Sequence, residues 1–169
     1  MKVCEQLYVD KLPKVIEEVI REKAQGNPFY AGEICNALIE SKQLLIKNGK
    51  CVVSADKLDF NKIPETVQGL ITNRIDSLSP SSQLVLKVAS VIGRNFQYDI
   101  LLDVFPVEDT KPFLRQYIST LTNASLIAKL HSHDTYTFKH SSIVDCCYNM
   151  LLPSQKQQLH KVIMFRIYS

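Results

Sequence analysis

The sequence contains no apolar stretch approaching the roughly 20 residues that an α-helix needs to cross a bilayer. Its N-terminus, Met1–Glu5, has no hydrophobic signal-peptide core and carries an early acidic residue. The basic residues are scattered singly and the formal net charge is only +3, so the charge pattern does not call for a nucleic-acid or anionic-membrane partner. These absences predict a chain without membrane insertion, in the cytoplasm or another reducing compartment.

The five cysteines lack the even count and regular spacing of a disulfide framework, and Cys146 and Cys147 are adjacent. No Cys or His pair follows the C-x2–4-C or H-x3–5-H spacing typical of zinc ligands, so the histidines of His131-Ser132-His133 do not predict a metal site. We expect Cys35 and Cys147, which lie on apolar helix faces, to behave as small buried groups. A buried apolar cysteine is inert, which disfavours Cys147 as a nucleophile beside His140.

Helical periodicity predicts a first unit over residues 1–78. An apolar stripe predicts a helix that begins after Asp10 and runs to Gln25. Gly26 is its expected end, and a second helix is expected from Pro28. The next element is a predicted hairpin over 44–53, because two short apolar runs flank Asn48-Gly49, whose residues tolerate the positive φ of a tight turn.

The third helix of this unit is predicted to start at Pro64 and Glu65. Its stripe places Arg74 among apolar residues. The next turn, Ser79-Pro80-Ser81-Ser82, is typical of a helix cap, so we expect a domain boundary between residues 78 and 79.

The second unit, 79–169, is predicted to begin with three helices, the third over Thr110–Asn123, and to end with two more, one around Ile143 and one from Pro153. The period of the pattern then changes to two, which predicts strands over Ser125–His131 and Thr135–His140 around a polar turn. Three helices followed by a β-hairpin is the order of a winged helix, with residues 125–140 as the wing. The predicted fold class is therefore mainly α, with a helical unit that carries a small hairpin followed by a winged-helix domain.

Three segments carry a resemblance to a known family. They are GNPFYAGEI from Gly26, IPETVQGLITNRIDSLSPSSQLVLKVASVIGRNF from Ile63 and YTFKHSSIVDCCYNMLLPSQKQQLHKVI from Tyr136. In order and spacing they resemble the C-terminal half of the nucleotide-binding module of signal-transducing ATPases with numerous domains. Within that class, they look most like the ATPase-like region that follows the twin cyclase domains of animal soluble adenylyl cyclases.

The resemblance implies a helical lid, residues 1–78, followed by a winged-helix regulatory part. It implies a parent protein that binds ATP or ADP with magnesium and converts ATP to cAMP and pyrophosphate. The sequence itself has no G-x-x-x-x-G-K-[ST] loop, no acidic Walker B strand and no paired metal-binding aspartates. For this chain alone we therefore expect no catalysis and no cofactor, and as partners the remaining ATPase and cyclase domains of the parent.

The same resemblance bears on the extent and location of the chain. It starts immediately before the lid and its tail after Ile163, MFRIYS, departs from the family pattern, so we expect a fragment or an isoform. The resemblance also allows a nuclear, mitochondrial or ciliary location.

Gly26, Pro28 and Arg74 are candidate nucleotide-sensing residues. In the family, a glycine-x-proline motif places its proline near the adenine, and Gly26 and Pro28 match that motif. The alternative is a helix–helix corner made by a glycine cap and a first-turn proline. Arg74 resembles a sensor arginine that contacts phosphate. Its alternative is a salt bridge to an acid of the same lid or a side chain that reaches solvent, because a stranded buried charge is costly.

His140 is the fourth candidate. The family reads the β-phosphate of ADP with a histidine in a methionine-histidine-aspartate motif, and Phe138–Asp145 aligns with it. Ser141 replaces the usual aspartate, which weakens the expected ADP-locked state. The alternative is a histidine that caps the next helix, with Asp145 solvated.

DNA binding is disfavoured as a function. A recognition helix usually brings several Arg or Lys to the groove, whereas Thr110–Asn123 offers only Lys111 and Arg115. Two hypotheses lead from the sequence: a regulatory segment that conveys nucleotide state or partner binding within an adenylyl cyclase, or a nucleotide-independent interaction scaffold. A DNA-binding winged helix of a transcription regulator is the weaker third alternative.

Overall fold

The computed structural model describes residues 11–47, 50–53, 63–130 and 134–168. These residues are mainly α-helical with two small antiparallel sheets, which confirms the predicted fold class. The chain divides into two compact units, Met1–Arg74 and Ile75–Ser169. Within the described ranges, no helix combines the length and the apolar character that crossing a membrane requires.

The described residues of the first unit form two helices, a hairpin and most of a third helix. Their bounds are α1 Lys14–Ala24, α2 Pro28–Glu40, β1 Leu44–Lys47, β2 Lys50–Val53 and α3 Val67–Asp76. β1 and β2 are antiparallel, with Lys47 opposite Lys50, as the hairpin prediction required. The predicted turn residues Asn48 and Gly49 lie outside the described residues.

The first helix begins at Lys14, later than the sequence pattern predicted. Pro13 explains the difference, because proline disfavours helical geometry at the residue before it. Leu12 is nevertheless buried, together with Ile16 and Ile20 on the inner face of α1. These side chains share one apolar core with α2 and with Leu44 of the hairpin.

The third helix begins at Val67 rather than Pro64 because Thr66 caps it. The Thr66 hydroxyl accepts a hydrogen bond from the Gly69 N–H at 3.1 Å, as an N-cap side chain does. Pro64 lies over this first turn, and a Cβ built on Gly69 would approach the Pro64 Cβ to 2.8 Å. The absence of a side chain at Gly69 therefore lets the two segments pack closely.

The second unit alternates helices with short strands. Its elements are α4 Pro80–Ile92, β3 Asn95–Gln97, α5 Tyr98–Val104, a 3-10 helix Glu108–Phe113, α6 Leu114–Asn123, β4 Ile127–Lys129, β5 Thr135–Phe138, α7 Ser141–Asn149 and α8 Pro153–Tyr168. As predicted, Ser79 caps α4 by accepting from the Ser82 N–H, Pro80 takes its first turn and Gly93 ends it.

The predicted helix Thr110–Asn123 is α-helical only from Leu114. Pro112 explains the difference, because a proline inside an α-helix lacks the N–H and clashes with the preceding turn. The strands of the predicted wing are likewise shorter than expected. Ser125 adopts a φ of 57° and turns the chain out of α6, so β4 begins only at Ile127.

The sequence pattern missed β3. This three-residue strand pairs antiparallel with β5, placing Phe96 opposite Tyr136, and gives a sheet in the order β3-β5-β4. Phe96 is buried, with its ring 5.8 Å from that of Tyr136 and 5.7 Å from that of Phe138. The aromatic side chains of β3 and β5 thus anchor the sheet to the helices of this unit.

Candidate functional site

Gly26 and Pro28 form the corner between α1 and α2. Gln25 and Gly26 have positive φ values of 46° and 86°, which end α1 and turn the chain. The side-chain oxygen of Asn27 accepts hydrogen bonds from the N–H groups of Phe29 and Tyr30, at 3.0 and 3.2 Å. Pro28 occupies the first helical turn, where its missing N–H costs nothing. Local backbone requirements therefore account for Gly26 and Pro28, and proximity of Pro28 to an adenine stays a prediction.

Arg74 is almost fully buried and is held by two acidic side chains of α2. Its Nη1 donates to the Glu33 carboxylate, and its Nε donates to Oε1 of Glu40 at 3.1 Å. The side chains of Arg74 and Glu33 are 3% and 5% exposed, whereas Glu40 is 43% exposed. The salt bridge within the same unit, which the sequence left as an alternative, is thus the arrangement present.

Two features of the Arg74 cluster decide what it can do chemically. The buried guanidinium and the buried Glu33 carboxylate neutralise each other, so neither is a stranded charge. The half-exposed Glu40 supplies a second acceptor at the solvent side of the cluster. A phosphate at Arg74 would bring another anion to a buried guanidinium that already binds two carboxylates, which places like charges together.

The two acceptors of Arg74 were missed at the sequence level, although the pattern contained a signal for one of them. Glu33 lies within the apolar face of α2, between Ala31 and Ile34, where an unpaired carboxylate would be costly. An acid on one buried face and a base on another predict an ion pair between them.

His140 caps α7. Its Nδ1 accepts a hydrogen bond from the Ser142 N–H at 3.2 Å and lies 3.1 Å from the Ser142 hydroxyl. Because an N–H donates to Nδ1, that nitrogen carries no proton, and the neutral ring holds its proton on Nε2. Asp145 is exposed on the same helix. The capping alternative is therefore the arrangement present, and a phosphate-reading role for His140 stays a prediction.

The four candidates are divided between the two units. Gly26, Pro28 and Arg74 belong to the first unit and His140 belongs to the second. Within the first unit, Arg74 contacts the helix that Pro28 begins, but through Glu33 and Glu40 rather than through its first turn.

A charged cluster on the hairpin of the second unit was also missed. Asp134 accepts from Arg115 at 2.9 Å and from Lys129 at 3.0 Å, and its backbone oxygen accepts from the Tyr98 N–H at 3.0 Å. The Arg115 guanidinium stacks 4.0 Å from the centre of the Tyr98 ring. Hydrogen bonds from Lys129 and Arg115 lower the pKa of Asp134, and the same carboxylate raises the pKa of both cations.

The ion pair of Arg115 in this cluster and that of the nearby Lys111 bear on nucleic-acid binding. The two cations that the sequence offered for a DNA groove, Lys111 and Arg115, pair with Glu108 and Asp134 respectively. Each cation therefore has a carboxylate beside it that offsets part of its positive charge. The absence of DNA binding by Thr110–Asn123 stays a prediction from the sequence.

Replacing Asp134 with asparagine is expected to destabilise the second unit most at neutral pH. A lowered folded-state pKa means that the stabilisation is present above the ordinary aspartate pKa of about 3.9 and is lost as pH falls through the folded-state value. Urea denaturation of wild type and Asp134→Asn from pH 7 to pH 3 should therefore show converging free energies of unfolding. Asp145→Asn, at an exposed aspartate of α7, is the matched control, and a difference constant across pH would contradict the role of Asp134.

The cysteine predictions are confirmed where the structure describes them. Cys35 and Cys147 are both fully buried on apolar faces. Burial raises the pKa of Cys147 to about 12, so its thiolate is not populated at neutral pH. Among the described residues, no group of three or more His, Cys, Asp or Glu side chains could hold a metal ion, and His131 and His133 lie outside those residues.

Comparison with known proteins gives one distant relationship. No family model matches the chain. Adenylate cyclase type 10 of Mus musculus is 20% identical to it in a match that covers 74% of this chain and 10% of the mouse protein. The chain is thus distantly similar to an adenylate cyclase and spans about a tenth of the length of that relative.

Proposed function

We propose that this chain is a non-catalytic regulatory segment of a protein related to the soluble adenylyl cyclases, and that it couples domains through protein contacts. The distant similarity to adenylate cyclase type 10 supports the link to cyclase signalling. On this proposal the second unit is a winged helix, which its order of three helices followed by a β-hairpin favours. ATP or ADP with magnesium is bound elsewhere in the parent, whose remaining domains are the partners in the cytoplasm.

One observation carries the choice of mechanism. The side chains best suited to sense a phosphate, Arg74 and His140, are already used by the fold. Arg74 neutralises a buried carboxylate, and His140 satisfies an N–H group at the start of α7. Coupling by protein contacts uses neither side chain and leaves both arrangements intact, whereas phosphate sensing at Arg74 would bring another anion to a buried ion pair.

Nucleotide-state sensing is the second candidate function. The corner formed by Gly26 and Pro28 and the position of His140 at a helix start are the observations that favour it. In that case Arg74 or His140 contacts a phosphate that another part of the parent holds. That contact would shift the population between two arrangements of a larger protein.

Isothermal titration calorimetry with MgATP and MgADP tests the proposal, with this chain joined to the part of the parent that holds the nucleotide. We expect Arg74→Met and His140→Ala to change the Kd for either nucleotide by less than about twofold. Tight binding of either nucleotide, weakened by Arg74→Met or His140→Ala, would overturn the proposal in favour of a sensor. Circular dichroism of each variant should accompany the titration, so that loss of binding is separated from loss of fold.

A further inference from the structure

A groove in the second unit lies between α4, α5 and α8 and encloses about 470 Å³. This volume falls in the range of about 300–1,000 Å³ that is typical of binding sites. Its walls are predominantly apolar and are formed by Leu84, Val88, Val104, Phe105, Pro106, Leu151, Leu159 and Val162. The groove therefore has the size and the surface to take two or three bulky apolar side chains.

Two of the four polar side chains that line the groove are acidic. Asp103, Glu108, Gln155 and Gln158 complete the lining, and no Lys or Arg contributes to it among the described residues. Asp103 pairs with Arg166 and Glu108 pairs with Lys111, both at the surface. Such exposed pairs are worth only about 0–1 kcal/mol, and a carboxylate accepts more than one donor. An incoming basic side chain can therefore share these carboxylates.

Exposed apolar side chains lie close to lining residues of the groove in the chain. Val162, at its edge, is 48% exposed, and Leu152, next to the lining residue Leu151, is 62% exposed. Phe165, one turn beyond Val162 on α8, is 77% exposed. A small ligand would fill the cavity and leave these side chains in water. A longer occupant would fill the cavity and also cover these exposed side chains.

We propose that this groove binds an amphipathic helix that presents two or three bulky apolar side chains flanked by Lys or Arg. The inference rests on the proposed function, since it supplies the surface through which a contact-based regulatory segment engages its partner. The apolar side chains fill the cavity at the i, i+4 and i+7 spacing of a helix face. The flanking basic residues lie against Asp103 and Glu108, which sets the orientation of the helix.

A synthetic helical peptide of about 15 residues, built from leucine, alanine and lysine, is the probe. Its leucines occupy one face and its lysines flank them. A second peptide with glutamate in place of each lysine is the charge control. Fluorescence anisotropy with the 169-residue chain measures affinity, and amide chemical shifts locate the binding surface.

The basic peptide is expected to bind with a Kd below about 100 μM and the acidic one at least about tenfold more weakly. Val162→Asp should weaken the basic peptide by about tenfold or more, since it places a charge at the apolar edge. Val52→Asp, at a comparably exposed valine of the first unit, is the matched control and should leave the affinity unchanged. The double variant Asp103→Asn with Glu108→Gln changes two exposed sites and leaves the core intact. It should weaken only the part of the peptide affinity that depends on charge.

Three results would overturn the groove proposal: no binding of the basic peptide, equal binding of the two peptides, or unchanged affinity in Val162→Asp. Self-association of the chain that Val162→Asp abolishes would assign the groove to a second copy instead. None of these results affects the nucleotide titration, so the groove and the contact-based function can fail independently.

Discussion

Replacing Arg74 with methionine is expected to lower the free energy of unfolding by about 3–5 kcal/mol. Methionine keeps most of the side-chain length but removes the charge, which leaves the Glu33 carboxylate buried without the guanidinium. That carboxylate must then take up a proton or draw in water, and either response costs stability. Urea denaturation followed by far-ultraviolet circular dichroism measures the change.

The controls separate the buried ion pair from the loss of a cation. Arg21→Met, at an exposed arginine of α1, should change stability by less than about 0.5 kcal/mol. Glu40→Gln should cost much less than Glu33→Leu, because Glu40 is half-exposed and can be hydrated. The double variant Arg74→Met with Glu33→Leu should recover much of the loss, since both buried charges are then absent. Simple additivity of the two single losses would contradict this description.

Replacing Phe96 with alanine is expected to destabilise the protein by about 3–5 kcal/mol, the usual cost of removing a buried phenylalanine. The substitution removes a side chain that packs on Tyr136 and Phe138 and leaves a cavity beneath the sheet. It also weakens β3, the strand that pairs with β5 and leads directly into α5. The same denaturation experiment measures the effect.

Phe113→Ala is the matched control for Phe96→Ala. Phe113 belongs to the same unit but is 53% exposed at the end of the 3-10 helix, so its loss should cost less than about 1 kcal/mol. Equal effects of the two substitutions would show that β3 is not part of the core of this unit.

The helices were predictable from sequence where apolar periodicity and capping residues agree. At α4, the Ser79 cap, the Pro80 first turn and the Gly93 stop all point to the helix that the structure contains. Where prolines fall inside a periodic run, the pattern overextends the helix. At Pro13 and Pro112 the helix starts later than the pattern predicts. The apolar spacing continues through each proline, although proline lacks the N–H that an α-helix needs.

Strand β3 could not be assigned from the sequence for a different reason. Three residues, Asn95–Gln97, give only one full alternation of polar and apolar side chains. Their strand geometry depends on hydrogen bonds to β5, which is about 40 residues away in the chain. Only the tertiary pairing determines such a short element.

For each candidate residue the sequence predicted a functional role and a structural alternative, but it could not decide between them. Sequence placed Arg74 on an apolar face and so required a partner for it, but it could not identify Glu33 and Glu40 across the chain. It likewise placed His140 immediately before a helix, where both a cap and a phosphate contact are chemically reasonable. The contacts of these two side chains provide the physical reason for proposing protein contacts over phosphate sensing.

The most direct measurement is an NMR titration with MgADP that follows the Arg74 Nε–H and the His140 ring, in this chain joined to the part of the parent that holds the nucleotide. If these side chains serve the fold alone, both signals stay unchanged at nucleotide concentrations up to about 1 mM. A saturable shift of either signal, lost when the residue is replaced, would show that the residue contacts phosphate. That result would contradict the contact-based proposal.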